Sequence, residues 1–307
     1  MKRVLVTGAG GFVGQPALFA LADRGFELHA VSRQPRDAHD GVTWHAADLL
    51  SYSDIADVIA GVQPTHLMHL AWCTDHGTFW RSPDNLRWLA ASAELVSQFA
   101  AHGGKRMLIA GSCAEYDAAG GMCDEEATPV RPATLYGACK HALHVAVDAF
   151  ARTHGVSLAW ARLFHLFGPG EQSGRLVPSI IRPLLAGEPA RCSEGSQLRD
   201  YLSVDDAGAA LAAVLDSAVE GAVNVGSGLP VALRVFARRI AALVGRPELL
   251  QVGALASRCG EPPILVADIH RLTGEVGWTV RSDVDRALVR TIEWWAERTS
   301  PQTESIG

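Results

Sequence analysis

The stretch Arg3-Val-Leu-Val-Thr7-Gly8-Ala-Gly-Gly11-Phe12-Val13-Gly14 decides the fold of this 307-residue chain. A run of apolar residues breaks into glycines, and helix-like spacing then resumes through Ala17, Leu18 and Leu21. That order reads as strand, tight turn, helix. Gly8, Gly11 and Gly14 stand three residues apart. In such a unit, glycines permit the turn, let the backbone approach a pyrophosphate and let the helix pack closely on the strand. The helix N-terminus then offers free N–H groups to phosphates. A dinucleotide cofactor is the expectation.

Outward from this turn, short apolar strands at 3–7, 27–32, 42–46, 66–70, 105–110 and 157–162 alternate with helical patterns at 12–24, 52–60, 84–102 and 135–154. This alternation predicts an α/β architecture, a Rossmann-type doubly wound parallel sheet over residues 1–168. After Gly168-Pro-Gly170 the segments shorten and Pro and Gly become frequent. Residues 169–300 are expected to build mainly a smaller C-terminal substrate-binding lobe, some of whose segments return to the first part. Substrates of doubly wound sheets bind at the carboxyl ends of the strands.

The second strand ends in Ser32 and Arg33, with Arg36 close by. NAD-preferring sites usually carry an acid here to hold the ribose 2′-hydroxyl. No carboxylate stands here to repel a 2′-phosphate, and Arg33 can pair with one. NADP(H) is the favoured reading and NAD(H) the alternative, with Arg33 then an ordinary exposed cation. Asp48 falls where a third strand would end, suited either to the adenine amino group or to capping the helix that follows.

Composition excludes several classes. The chain is 48% apolar, and no apolar run reaches the length of a membrane span. The first strand starts at residue 3, so no signal peptide is expected. A net charge of −6 gives no reason to expect nucleic acid. Cysteines 73, 113, 123, 139, 192 and 259 show no CxxC or zinc spacing. Reduced thiols in a cytoplasmic protein without a metal site are expected.

Tyr136 and Lys140, in Tyr-Gly-Ala-Cys-Lys, are four residues apart and so leave one helix face. A phenol with an ammonium nearby is a candidate proton donor carrying its own tuning charge. The strand at 105–110 runs into Gly-Ser112-Cys113-Ala114-Glu-Tyr116, and a hydroxyl at that strand end can donate a hydrogen bond to a substrate oxygen. The glycine turn, Ser112 and the Tyr136/Lys140 pair, in this order, resemble the extended short-chain dehydrogenase/reductase (NAD-dependent epimerase/dehydratase) family. Further motifs agree: His69-Leu70-Ala71, Asn85, Arg162 through Gly168-Pro-Gly170, Arg199-Asp-Tyr-Leu-Ser-Val-Asp205 and Asn224-Val-Gly226. The resemblance covers roughly residues 3–297.

The resemblance implies an NAD(P)-dependent oxidoreductase. Tyr136 exchanges a proton with a sugar oxygen, Ser112 polarises that oxygen, and Lys140 holds the nicotinamide ribose. The implied cofactor set is Gly8, Gly11, Phe12, Val13, Gly14, Ser32, Arg33, Arg36, Asp48, Leu49, Leu70, Ala71, Tyr136 and Lys140. The implied substrate is a nucleotide sugar, with Arg199 near its phosphates or, alternatively, paired with Asp200 or Asp205. Trp72, Cys113, Ala114 and His165 complete the substrate set, and cell-surface polysaccharide biosynthesis is the implied setting. Related dehydratases carry a Glu, often preceded by an Asp, where this chain has Ala114 and Cys113. Fucose-pathway epimerase-reductases have a Cys at the position of Ala114. Glu115, one residue on, is expected to point to the opposite face of the strand as a structural or solvated carboxylate.

These features favour NADPH-dependent reduction of a 4-keto nucleotide-diphospho sugar, possibly GDP-linked. A nucleotide-sugar 4-epimerase with NAD is the alternative. A non-catalytic NAD(P)-binding sensor is the alternative of another class. His165 stands where the family often has Asn. The Trp72–Trp80 segment is rich in aromatics, either stacking on a sugar or base or packing its own loop. Surplus apolar residues on helices 84–102 and 135–154 suggest a homodimer.

Overall fold

The computed structural model describes residues 2–34, 41–117, 121–257 and 260–299. Seven strands form one parallel sheet: β1 (Arg3–Thr7), β2 (Glu27–Ser32), β3 (Val42–Ala46), β4 (His66–His69), β5 (Arg106–Ser112), β7 (Ser157–Leu163) and β11 (Gly221–Val225). Their order is β11-β7-β5-β4-β1-β2-β3. The reversal beside β1 is where such sheets open a crevice at their carboxyl ends.

Both faces of the sheet are covered, which is why the middles of its central strands, such as Val4–Val6, Leu67–Met68 and Met107–Ala110, are apolar. Along β1, Val4 and Val6 belong to the core under α1 (Gly14–Ala22) and α6 (Val204–Asp216). Leu5, between them, belongs to the opposite core under α2 (Tyr52–Val62), α3 (Asp84–Ala101) and α4 (Leu135–His154). The two-residue period of the strand thus feeds two separate cores. Among the later segments that return to the first part is α6, whose Ala207, Ala210, Ala212 and Ala213 are buried in the core shared with α1 and the sheet.

A second sheet is built around β10 (Leu198–Ser203), which pairs with β8 (His165–Phe167), β12 (Pro230–Ala232) and β14 (Ile264–Ala267). β6 (Met122–Cys123) extends it beyond β14, and β9 (Ala190–Cys192) pairs separately with β13 (Leu250–Val252). With α5 (Leu176–Leu185), α7 (Leu233–Val244) and α8 (Val284–Thr299), these strands enclose a third core. There Tyr201 stacks on Phe236, ring centroids 4.2 Å apart.

Local signals set the helix starts. Thr134 accepts from Gly137 N–H at 3.1 Å and opens α4 two residues before Tyr136. Ser51, rather than Asp48, caps α2. Among the described residues no helix is long and apolar enough to cross a membrane, and the cysteines carry free thiols, with Cys259 outside the described residues.

Candidate active site

The glycine turn is built as the spacing predicts. Gly8 adopts a positive φ of +69°, and a Cβ on Gly14 would lie 2.2 Å from the Gly8 carbonyl oxygen. Helix α1 therefore begins in close contact with the end of β1, and Phe12, Val13 and Gly14 at its start line the crevice. Gly8, Gly11, Phe12, Val13, Gly14, Leu70 and Ala71 line one cleft, together with Ser112, Tyr136 and Lys140. Gly8, Gly11, Ser32, Arg33, Asp48 and Leu49 line an adjoining one. The two clefts share Gly8, Gly11, Ala71, Trp72 and Thr74, and together they fit an elongated dinucleotide lying across the turn. Asp48 accepts from Leu50 N–H at 3.0 Å and borders the second cleft. Arg36 lies outside the described residues.

At the other end, β5 carries Ser112 and α4 carries Tyr136 and Lys140. A Cβ on Gly137 would sit 2.3 Å from the Ala114 carbonyl oxygen, so the first turn of α4 presses directly on residues 113–115. That approach lets Ser112 hydrogen-bond Tyr136. Tyr136 N–H donates to Trp80 O at 3.2 Å, and its ring is walled edge-on by Phe79 at 4.9 Å and Trp80 at 5.7 Å. The aromatic segment thus packs against Tyr136 while Trp72, Phe79 and Trp80 line the crevice.

The tuning differs from the simple picture of an ammonium lowering a phenol. Burial pushes the Tyr136 phenol up to about 12, with the Ser112 hydrogen bond pulling the other way. Burial also pushes Lys140 down to about 7, opposed by Glu115. Lys140 donates to Ala110 O at 2.8 Å and is 2% exposed. His69, at the end of β4, bonds Thr7 at 2.7 Å and Ser92 at 2.8 Å, and burial holds it at about 3, so it stays neutral beside Lys140.

Residues 113–115 form a short 3₁₀ turn rather than more strand. Glu115 points inward, fully buried, and accepts from Ser112 N–H (2.7 Å), Trp160 Nε1 (3.0 Å) and Arg162 Nε (3.1 Å). Arg162 also donates to Tyr116 Oη at 2.9 Å, and Tyr116 donates to Asn224 Oδ1 at 2.8 Å. The expected structural carboxylate is thus part of a network joining the ends of β5, β7 and β11. Glu115, His141 and His144 bring ligand atoms within 4.8 Å of one another, but the Arg162 guanidinium already occupies the carboxylate and opposes a cation there.

Three expected substrate residues need restating. Ala114 is absent from the cleft lining, where Cys113 is present with its thiol pushed up to about 12 by burial. Arg199 is also absent from it: the guanidinium is 5% exposed and donates to Leu198 O, Pro262 O and Glu261, not to Asp200 or Asp205. Asp200 instead accepts from Ser227 and Gly228, and Asp205 pairs with Arg290. Trp72 lines both clefts, but it is 9% exposed and its N–H is held by Asn85 Oδ1 at 2.8 Å. His165 does line the cleft; burial, with Arg199 and Arg175 nearby, lowers it to about 3, and its Nδ1 has no partner.

Sequence reasoning missed Arg175, which lines the cleft as the residue preceding α5 and acts electrostatically on Tyr136, His165 and Glu171. No motif marks it; only its position after Gly168-Pro-Gly170 hinted at the substrate side. Glu171 beside it is buried and pushed up to about 8, so it is protonated at neutral pH.

Residues 4–226 match the NAD dependent epimerase/dehydratase family. The chain belongs to this family. It is an enzyme of the extended short-chain dehydrogenase/reductase type. Among relatives in the epimerase/dehydratase family, it is 24% identical to the UDP-glucose 4-epimerase of Corynebacterium glutamicum, over 96% of this chain and 95% of that one. It is 26% identical to the dTDP-6-deoxy-L-talose 4-dehydrogenase (NAD(+)) of Aggregatibacter actinomycetemcomitans, over 76% and 87% of the two chains. The solved structure of MoeE5 in complex with UDP-glucose and NAD superposes with a TM-score of 0.82 at 29% identity, covering 97% of this chain and 100% of that one.

Proposed function

We propose that this enzyme reduces a 4-keto nucleotide-diphospho sugar to the hydroxy sugar with NADPH, Tyr136 giving the proton to the C4 oxygen. One observation carries this reading. The Ser112–Tyr136–Lys140 set is complete, while positions 113–115 supply no second acid or base. Ala114 has no titratable atom, the Cys113 thiol stays protonated, and Glu115 is tied to Arg162 and turned from the cleft. Dehydration needs extra proton transfers; a ketone reduction needs one. A Tyr136 held protonated is also the form that begins a reduction, whereas oxidation begins from the phenolate.

When bound, the nicotinamide supplies the hydride. Ser112 orients the carbonyl oxygen by a hydrogen bond, and Lys140 binds the nicotinamide ribose and stabilises the phenolate left on Tyr136. Phe79 and Trp80 exclude water from the phenol. Arg175 offers its charge to the substrate diphosphate. Exposed Arg33 beside Ser32, with no acid there, supports NADP(H). Exposed Leu86 on α3 and Val145 on α4 support a dimer through those helices.

The relatives named as a 4-dehydrogenase and a 4-epimerase both support chemistry at position 4. They keep the NAD-dependent 4-epimerase as the second reading. The test is a panel of 4-keto sugars linked to GDP, UDP and dTDP, with NADPH oxidation followed at the nicotinamide absorbance. Turnover of one of them supports the reductase. Interconversion of UDP-glucose and its C4 epimer without net NADPH oxidation replaces it with the epimerase. Tight cofactor binding with neither activity marks a sensor.

A further inference from the structure

We propose that Trp72 is a positioning residue that keeps Lys140 charged: its indole face acts as the counter-charge beneath the ammonium. Lys140 Nζ lies 3.8 Å from the centroid of the Trp72 ring. At that distance an aromatic face attracts a cation, and the attraction grows as water is removed. Water is removed here, since Lys140 is 2% exposed and Trp72 9%.

The indole is fixed on three sides. Its N–H donates to Asn85 Oδ1 at 2.8 Å, and Asn85 is itself fully buried and donates to Phe79 O and Ser82 O. Trp88 stacks on it with centroids 6.3 Å apart, and Tyr136 meets it edge-on at 6.5 Å. The ring is therefore held under the ammonium rather than resting there by side-chain chance. The arrangement also divides the ammonium's three N–H groups. One donates to Ala110 O, and the ring lies against the nitrogen, so not all three are spent on the protein's oxygens.

Among the described titratable groups, Glu115 beyond β5 and His69 on β4 act on Lys140 electrostatically, and Tyr136 and His144 stand one turn before and after it on α4. His69 and His144 are neutral and Tyr136 is protonated. Glu115 has the opposite sign but is hydrogen-bonded to Ser112, Trp160 and Arg162. Among the described residues, apart from that shared carboxylate and the Ala110 carbonyl, the Trp72 face is the contact that favours the charged form. Without it, Lys140 loses its proton at lower pH and no longer stabilises a phenolate on Tyr136.

The chain has three lysines, Lys2, Lys105 and Lys140, so ε-¹³C-lysine NMR resolves each titration in the protein alone. In Trp72→Leu we expect the Lys140 pKa to fall by about one unit or more, with Lys2 and Lys105 unmoved. Trp72→Phe, which keeps an aromatic face, should fall between. Protein grown with 5-fluorotryptophan has indoles of nearly the same shape with a weaker π face; its Lys140 should also shift down, which covers the case in which Trp72→Leu fails to fold. The alkaline limb of the kcat profile should move with the NMR value. A Lys140 titration at the wild-type pH in both the Phe variant and the fluorinated protein overturns the proposal. The consequence for catalysis rests on the reductase reading, but the NMR measurement uses no substrate, so either idea can fail alone.

Discussion

Two buried cations flank the end of β5, and they are held in opposite ways. Arg162, paired in register with Gly111, has a carboxylate at 3.1 Å, a phenol at 2.9 Å and the Tyr116 ring at 4.5 Å from its guanidinium carbon. Despite burial, these partners raise its pKa above the usual arginine value. Lys140 has one carbonyl and one indole face, and burial takes it down to about 7. A buried charge held by a carboxylate, a phenol and a ring builds rigid scaffold; one left short of partners keeps affinity in reserve for a ligand. The same strand end thus carries a floor and a working surface.

This contrast can be broken in several places. The largest expected effect is at the reacting group: Tyr136→Phe should lower kcat by about 10²- to 10⁴-fold with cofactor binding retained, read by steady-state assay and fluorescence titration. Intact turnover would remove Tyr136 as proton donor. On the scaffold side, Glu115→Ala leaves Arg162 buried without its carboxylate and should cost about 3–5 kcal/mol, seen as a lower urea midpoint. A small loss there would mean that Glu115 is not the partner that holds Arg162.

Lys140→Met should do the reverse, abolishing activity while stabilising the fold by on the order of 1–4 kcal/mol. Because the folded pKa lies below the unfolded one, the unfolded chain binds more protons between about 7 and 10.5, and wild-type stability rises with pH across that window. The gain from Lys140→Met should thus be full below pH 7 and fade toward pH 10, as Tm measured against pH would reveal. Smaller effects belong to cations nearer solvent. Arg175→Ala should raise the KM for the nucleotide sugar about tenfold with kcat less affected. Arg33→Ala should reduce the preference for NADPH over NADH by about fivefold; an unchanged preference would sink the 2′-phosphate argument.

Much of the fold could be read along the chain because the signals are local. The glycine turn, the apolar strands at 3–7 and 27–32 and the helix at 135–154 each lie within one short window, and the structure places them within a residue or two. Ser112, Tyr136 and Lys140 were legible for the same reason, since spacing on one helix and a strand end fixes their approach. Contacts between distant segments were not. Nothing near Glu115 announces Trp160 or Arg162, and Arg199 looks free until Glu261 and Pro262 are brought beside it. Arg175 has no motif, and its meaning comes wholly from the cleft it borders.

The path of α6 and β11 bears on any attempt to exchange substrate preference between enzymes of this kind. After β10 the chain goes back to pack α6 against α1 and to add β11 at the edge of the seven-stranded sheet, then leaves again for β12. Trp278, further on, is buried in the same core as α1 and α6. A single splice near residue 168 would strip the sheet of an edge strand and a covering helix. A working chimera has to be cut at several junctions, keeping 204–225 and the segment around Trp278 with the N-terminal parent.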